Sequence, residues 1–125
     1  MASAEQPEDE TSQKAIRLHH GTDEANANDL FQNGVNQQHA AVWNGSGEFW
    51  ATIDHRRAEW FARSHPSSPP AACFEFDFPE SVLLAILQMT PPAAIQHGPD
   101  DYEFLPASHA ALNRHMINVQ IAAVP

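Results

Sequence analysis

The sequence predicts an α+β fold built on a largely antiparallel sheet or pair of sheets. Three observations predict it. Phe74, Phe76 and Phe78 alternate with Glu75 and Asp77, the period of a strand with one buried and one wet face. Segments with strand patterning outnumber those with helical patterning, and the helical ones are concentrated in the first half. Irregular loops separate the strands, unlike the regular helical crossovers of a doubly wound parallel sheet.

Residues 1–14 read as a disordered acidic tail, because Glu5 to Gln13 offer nothing to bury. The folded domain is expected over 15–125. Ala15 to His20 reads as a strand with Ile16, Leu18 and His20 on one face, broken by Gly21. Thr22 or Asp23 can cap a helix to about Gln32, with Leu30 and Phe31 buried and Asn33-Gly34 as its stop. Ala41-Val42-Trp43 precedes an Asn44-Gly45-Ser46-Gly47 turn, and Phe49 to Thr52 reads as a short strand. Asp54 can cap a helix through Arg63, with Ala58, Phe61 and Ala62 on one face. Ser64 to Pro70 cannot continue it.

Ala72 to Phe78 is the clearest strand. Glu80 to Gln88 reads equally as a short helix or a buried strand, since a continuous apolar run hides its period. Pro91-Pro92 and His97-Gly98-Pro99 bracket an expected loop, and Tyr102 to Leu105 forms a strand ended by Pro106. One or two helical turns over His109 to Arg114 lead to a last strand, Ile117 to Val124, with Ile117, Val119 and Ile121 on one face.

The 125 residues are 42% hydrophobic and carry 6 basic against 16 acidic residues, a formal net charge of −10. That is material for one core. Nucleic acid is disfavoured as the main partner, because its binding draws on counterion release by Lys and Arg. An anionic membrane surface is disfavoured for the same reason. The longest apolar run, Val82 to Leu87, is too short to span a bilayer. Met1 to Glu10 has four acids and no apolar run, unlike a secretory signal. A single cysteine, Cys73, excludes an internal disulfide and a cysteine knuckle. The expectation is a cytoplasmic protein. None of the eight histidines has the i, i+4 spacing of a helical zinc pair, so no metal is expected.

Three places carry candidate chemistry. In Leu18-His19-His20-Gly21-Thr22 a strand ends in an imidazole beside a glycine and a helix start. Glycine admits a ligand to the main chain, and a helix start offers bare N–H groups. The same residues also make an ordinary turn with an incidental histidine. In Gly45-Ser46-Gly47-Glu48-Phe49-Trp50-Ala51-Thr52 a flexible loop leads into adjacent aromatics, fit either to stack on a flat heterocycle or to fill the core. In Asp100-Asp101-Tyr102-Glu103-Phe104-Leu105-Pro106, Glu103 interrupts an apolar strand with Asp101 on its side, so it points into a cleft or lies on an edge.

Taken in order, these segments resemble the ADP-ribosyltransferase superfamily, in the His–Tyr–Glu branch of the diphtheria-toxin-like and poly-ADP-ribose-polymerase-like enzymes and small bacterial domains. The resemblance runs over about residues 15–125 and includes the helix segment Arg57-Ala58-Glu59-Trp60-Phe61-Ala62. It implies split antiparallel sheets flanked by short helices. It implies that His20 holds a ribose hydroxyl of NAD, that the Gly21 backbone holds the nicotinamide amide with Thr22 adjoining, and that Trp50 stacks on nicotinamide. It implies that Glu103 is the catalytic glutamate. Two departures are visible: Trp50 stands where the family has tyrosine, and Glu48 interrupts the Gly-Phe step.

The implied activity is NAD-dependent mono-ADP-ribosyl transfer to a protein or other macromolecular acceptor, with nicotinamide released. NAD glycohydrolysis uses the same residues, and a binding module without turnover is a third outcome. An RNA 2′-phosphotransferase, a relative with a similar opening, is disfavoured by the acidic balance. Arg17 and the Arg56-Arg57 pair are the candidate pyrophosphate donors.

Overall fold

In the computed structural model, residues 14–36, 47–64 and 70–125 are described. The predicted tail up to Gln13, the Ala41 to Ser46 segment and the 65–69 loop lie outside the described residues.

Strand β1 (Ala15–Asp23) and strand β3 (Ala71–Pro79) pair antiparallel along their whole length, from Ala15 opposite Pro79 to Asp23 opposite Ala71. The strand therefore does not stop at Gly21. Glycine weakens a strand but does not forbid it, and here it stays in register opposite Cys73. Asp23 ends β1 and caps α1 (Glu24–Asn33), its Oδ1 accepting the Asn26 N–H at 2.8 Å. Gly34, at φ 80°, closes the helix by donating its N–H to the Leu30 carbonyl. Leu30 is buried, but Phe31 is 55% exposed, contrary to expectation. A ten-residue helix lying on a sheet buries a narrow stripe, here Ala27 and Leu30.

Strand β2 (Phe49–Thr52) leads to α2 (His55–Ser64), whose start is capped as predicted by Asp54 Oδ1 accepting the Arg56 N–H at 3.0 Å. After β3 the ambiguous apolar run is a helix, α3 (Glu80–Gln88), burying Leu83 and Ile86. The expected loop between the proline pairs is instead an edge strand, β4 (Ala94–His97), in a hairpin with β5 (Asp101–Phe104). His97-Gly98-Pro99 is the turn of that hairpin rather than the end of a loop, with Gly98 at φ 68°. A 3₁₀ turn at Pro106–Ser108, helix α4 (His109–His115) and strand β6 (Ile117–Ala123) complete the order. Helices thus occur in both halves of the chain.

The strands form one antiparallel sheet in the order β4-β5-β2-β1-β3-β6, and the fold is α+β. Its inner face carries Leu18, Phe49, Phe74, Phe76, Phe78 and Phe104, covered by Leu30, Leu83, Ile86 and Leu112 from α1, α3 and α4. Val119 and Ile121 join this core, but Ile117 is 50% exposed. Between the pairs Glu75–Gln120 and Asp77–Ile117, β3 advances two residues and β6 three. That bulge, with Asn118 at φ 51°, turns Ile117 to the other face.

Among the described helices, α2 alone lies on the outer face. A Cβ on Gly21 would sit 2.0 Å from the Ala58 carbonyl oxygen, so the missing side chain lets the α2 backbone rest on β1. The two halves of the sheet, β1-β3-β6 and β2-β5-β4, are joined by a single registered pair, His19 opposite Thr52.

Candidate functional site

The outer face of β1, β2 and β5 and the flank of α2 enclose a cleft of about 420 Å³, the size of a small-molecule site. It lies where the two half-sheets part. Beyond the His19–Thr52 pair, a continued ladder would set Gly21 opposite Trp50. Instead the His20 imidazole bonds the β2 backbone, with Nδ1 2.6 Å from the Trp50 carbonyl oxygen. A carbonyl only accepts, so Nδ1 carries the hydrogen. The ring also stacks on Phe49, centroids 4.4 Å apart, and is almost wholly buried.

His20, Gly21 and Trp50 all line the cleft. Thr22 does not: it is fully buried on the core side, opposite Ala72. Gly21 is a wall, but the space beside its Cα belongs to α2 and not to a ligand. The expected anion-accepting helix start is closed too. Asp23 takes the Asn26 N–H and the Pro70 carbonyl takes that of Glu24.

Trp50 is 41% exposed, too open for a core aromatic, and its ring lies 4.8 Å from that of His97. Its register partner on β5 is Glu103, so the two side chains leave the sheet on the same face. Glu103 itself is not a lining residue of the cleft. Its Oε1 binds His97 Nε2 at 2.9 Å. Two residues earlier Asp101 does line the cleft, and its Oδ2 accepts from Arg57 Nε at 2.8 Å. Arg57 lies across the Phe61 ring, 5.4 Å from the centroid. Phe61, read on one face with Ala58 and Ala62, is half exposed along the cleft while those two are buried. Of the predicted arginines only Arg57 lines it. Arg17 is spent on Asp77, 3.1 Å away, and on the Asn118 carbonyl.

Sequence reasoning missed His19 and Glu75. The alternation puts Glu75 on the wet face of its strand, yet Glu75 is 9% exposed. Its carboxylate accepts from His19 Nδ1 at 2.8 Å and from Gln120 Nε2 at 3.0 Å, with Arg17 3.8 Å away. Burial pushes its pKa up, but the Gln120 and His19 hydrogen bonds and the charges of His19 and Arg17 outweigh that and hold it below the usual range. The one available signal was an acid in β3 opposite a histidine in β1, legible only once the register is known. Cys73 is buried as expected. Burial first, then the charges of Glu75 and Glu59, push its thiol up to about 12 despite Arg63, so it stays protonated and inert at neutral pH.

Among the described residues, no group of three or more His, Cys, Asp or Glu side chains is arranged to hold a metal ion. No helix among them is long and apolar enough to cross a membrane. Comparison with protein-family models, with curated proteins and with solved structures returned no match.

Proposed function

We propose that this chain is an NAD-dependent mono-ADP-ribosyltransferase acting on a macromolecular acceptor, with protein favoured by the net charge of −10. The observation that carries the reading is a half-exposed indole, Trp50, in register with a carboxylate, Glu103, beside a cleft that His20 and Gly21 line. The near-division of the sheet at the His19–Thr52 pair supports the split-sheet architecture that the resemblance implies.

The chemistry suits these groups. Breaking the nicotinamide–ribose bond builds an oxocarbenium-like carbon, as in glycoside cleavage. A carboxylate beside the ribose stabilises that charge and accepts a hydrogen bond from its hydroxyl. Nicotinamide leaves neutral, so no strong acid is required. Trp50 keeps the stacking surface of the family's tyrosine without its hydroxyl. Its indole, open on the cleft, is the platform for the nicotinamide ring. His97, bound to Glu103, fixes the carboxylate's direction.

The test is nicotinamide release from NAD by the purified protein and by Glu103→Gln. Turnover by the wild type, reduced about 10²- to 10³-fold in the variant, is expected for a lost electrostatic partner of the transition state. The distance of Glu103 from the lining favours one second reading, a module that binds NAD without cleaving it. NAD raising the melting temperature of both proteins, with no nicotinamide from either, would select that reading.

A further inference from the structure

His19 and Glu75 stand in register on β1 and β3, and both side chains are 12% exposed. The carboxylate is fixed on both oxygens: Oε2 by His19 Nδ1 at 2.8 Å, Oε1 by Gln120 at 3.0 Å. An ionised carboxylate accepts and never donates, so Nδ1 carries the ring hydrogen and Nε2 keeps its lone pair. With Nδ1 turned to β3, Nε2 is the nitrogen left for the cleft, which His19 lines. Among the described residues Nε2 has no hydrogen-bond partner. The registers place His19, Thr52 and Asp101 in one row across β1, β2 and β5, with Trp50 and Glu103 one step along the strands. At about 4.8 Å between strands and 3.4 Å per residue, the His19 and Glu103 positions lie roughly 12 Å apart on this face.

We propose that His19 is the general base of this site, oriented by Glu75, and that the acceptor it serves is a hydroxyl, either of a protein side chain or of water. This rests on the NAD reading above and adds the acceptor class to it. A carboxylate acceptor arrives already ionised and needs no base, and Glu48 and Asp101 on the cleft wall oppose a second anion. A hydroxyl is neutral and must lose its proton as it attacks. In the step, the acceptor oxygen bonds to the ribose C1′ and its proton passes to His19 Nε2. The C1′–N1 bond breaks, and its electron pair neutralises the pyridinium ring of the departing nicotinamide. The imidazolium, stabilised by Glu75, then gives its proton to water. A base so held contributes about 10²- to 10⁴-fold.

The experiment uses the full chain and NAD with four acceptors: water alone, glycerol, a seryl peptide and a glutamyl peptide. Nicotinamide release gives kcat and KM, and mass spectrometry identifies the products. His19→Gln and Glu75→Gln are compared with the wild type across pH, where Arg17, Glu48, Glu75, His55, Arg57 and Asp101 are the other titratable and charged groups of the cleft and its walls. The expected result is adducts on hydroxyls, with kcat down about 10²-fold in His19→Gln and KM for NAD little changed. The rise of kcat with pH that reports the base should vanish in His19→Gln and move in Glu75→Gln. Azide, a nucleophile with no proton to lose, should restore turnover in His19→Gln, which a merely structural defect would not allow. If His19→Gln fails to fold, the displaced pH limb expected of Glu75→Gln carries the test. Wild-type turnover that both variants retain, or adducts only on the glutamyl peptide, would overturn the inference and leave the NAD reading intact. A wild type that releases no nicotinamide with any acceptor overturns both. Free ADP-ribose against peptide adducts separates water from a protein hydroxyl as the acceptor.

Discussion

On the inner face of the sheet Phe74, Phe76, Phe78 and Phe104 are wholly buried and touch one another, ring to ring, at 5.8 to 6.3 Å. On the outer face of the same strands Glu75 and Glu103 each hold a histidine, Asp101 holds an arginine, and Trp50 lies open. The inner face derives its stability from area removed from water, which is indifferent to direction. The outer face consists of directional pairs whose net contribution to stability is small but which fix where each group points. Stability therefore rests chiefly on one face and the site on the other, with His20 reaching the cleft from the core side.

The sharpest way to break that division is from the core. Phe76→Ala should cost about 3–5 kcal/mol, since it leaves a cavity between Phe74, Phe78 and Phe49. Urea unfolding measures it. Loss under about 1 kcal/mol would mean that the phenylalanine stack is not the centre of the fold.

Gly21 is where α2 is seated on the outer face of β1. In Gly21→Ala the new methyl meets a backbone carbonyl at 2.0 Å, and Ala58 cannot yield without moving the helix. The expected cost is about 1–3 kcal/mol, as for other overpacked sites. NAD binding should fall with it, because the moved helix carries Arg57 and Phe61 along the cleft. A stable variant with an unchanged cleft would show that α2 is loosely seated.

Trp50→Ala should do the reverse. At 41% exposure the indole contributes little to the fold, and the melting temperature should change little. NAD affinity should drop by the worth of one aromatic stack, about 0.5–1.5 kcal/mol, or roughly two- to twelvefold. Trp50→Tyr should restore it. Calorimetric titration of both variants decides whether the ring is a platform or only a cover for His97.

The same division explains what the sequence made legible. Period-two alternation around Phe74–Phe78, the Asp54 cap and the Gly34 stop are local signals, and the inner face follows from them. The order His20, Gly21, Trp50, Glu103 was readable as a motif, and three of those four residues line one cleft. Long-range register was not readable. Glu75 looks like the solvent side of a strand until β1 sets His19 against it, and Thr22 looks like part of a site until the pairing carries it into the core. The hairpin of β4 was hidden because prolines mark turns and loop edges alike. The exposed Ile117 depends on one extra residue in β6, which no local pattern announces.

The smallest effect is also the one that reads both sides of the sheet at once. His109, buried on α4, has a pKa below its ordinary 6.5, chiefly through burial and despite a hydrogen bond with the Gly47 backbone. Glu75, on the outer face, lies below its ordinary 4.5. In each case the unfolded chain binds a proton more readily than the fold, so stability rises with pH. The contribution of His109 is complete above 6.5 and is lost as pH falls from there toward its lower folded value. That of Glu75 is complete above 4.5 and is lost only as pH falls further. Melting temperature should therefore decline in two stages, the core histidine first and the outer-face carboxylate second. His109→Phe should flatten the upper stage alone, and Glu75→Gln the lower stage alone. If His109→Phe melts in parallel with the wild type between about pH 7 and pH 5, the upper stage does not arise from the buried imidazole. The two faces would then not be separable by titration, although mutation would still separate them.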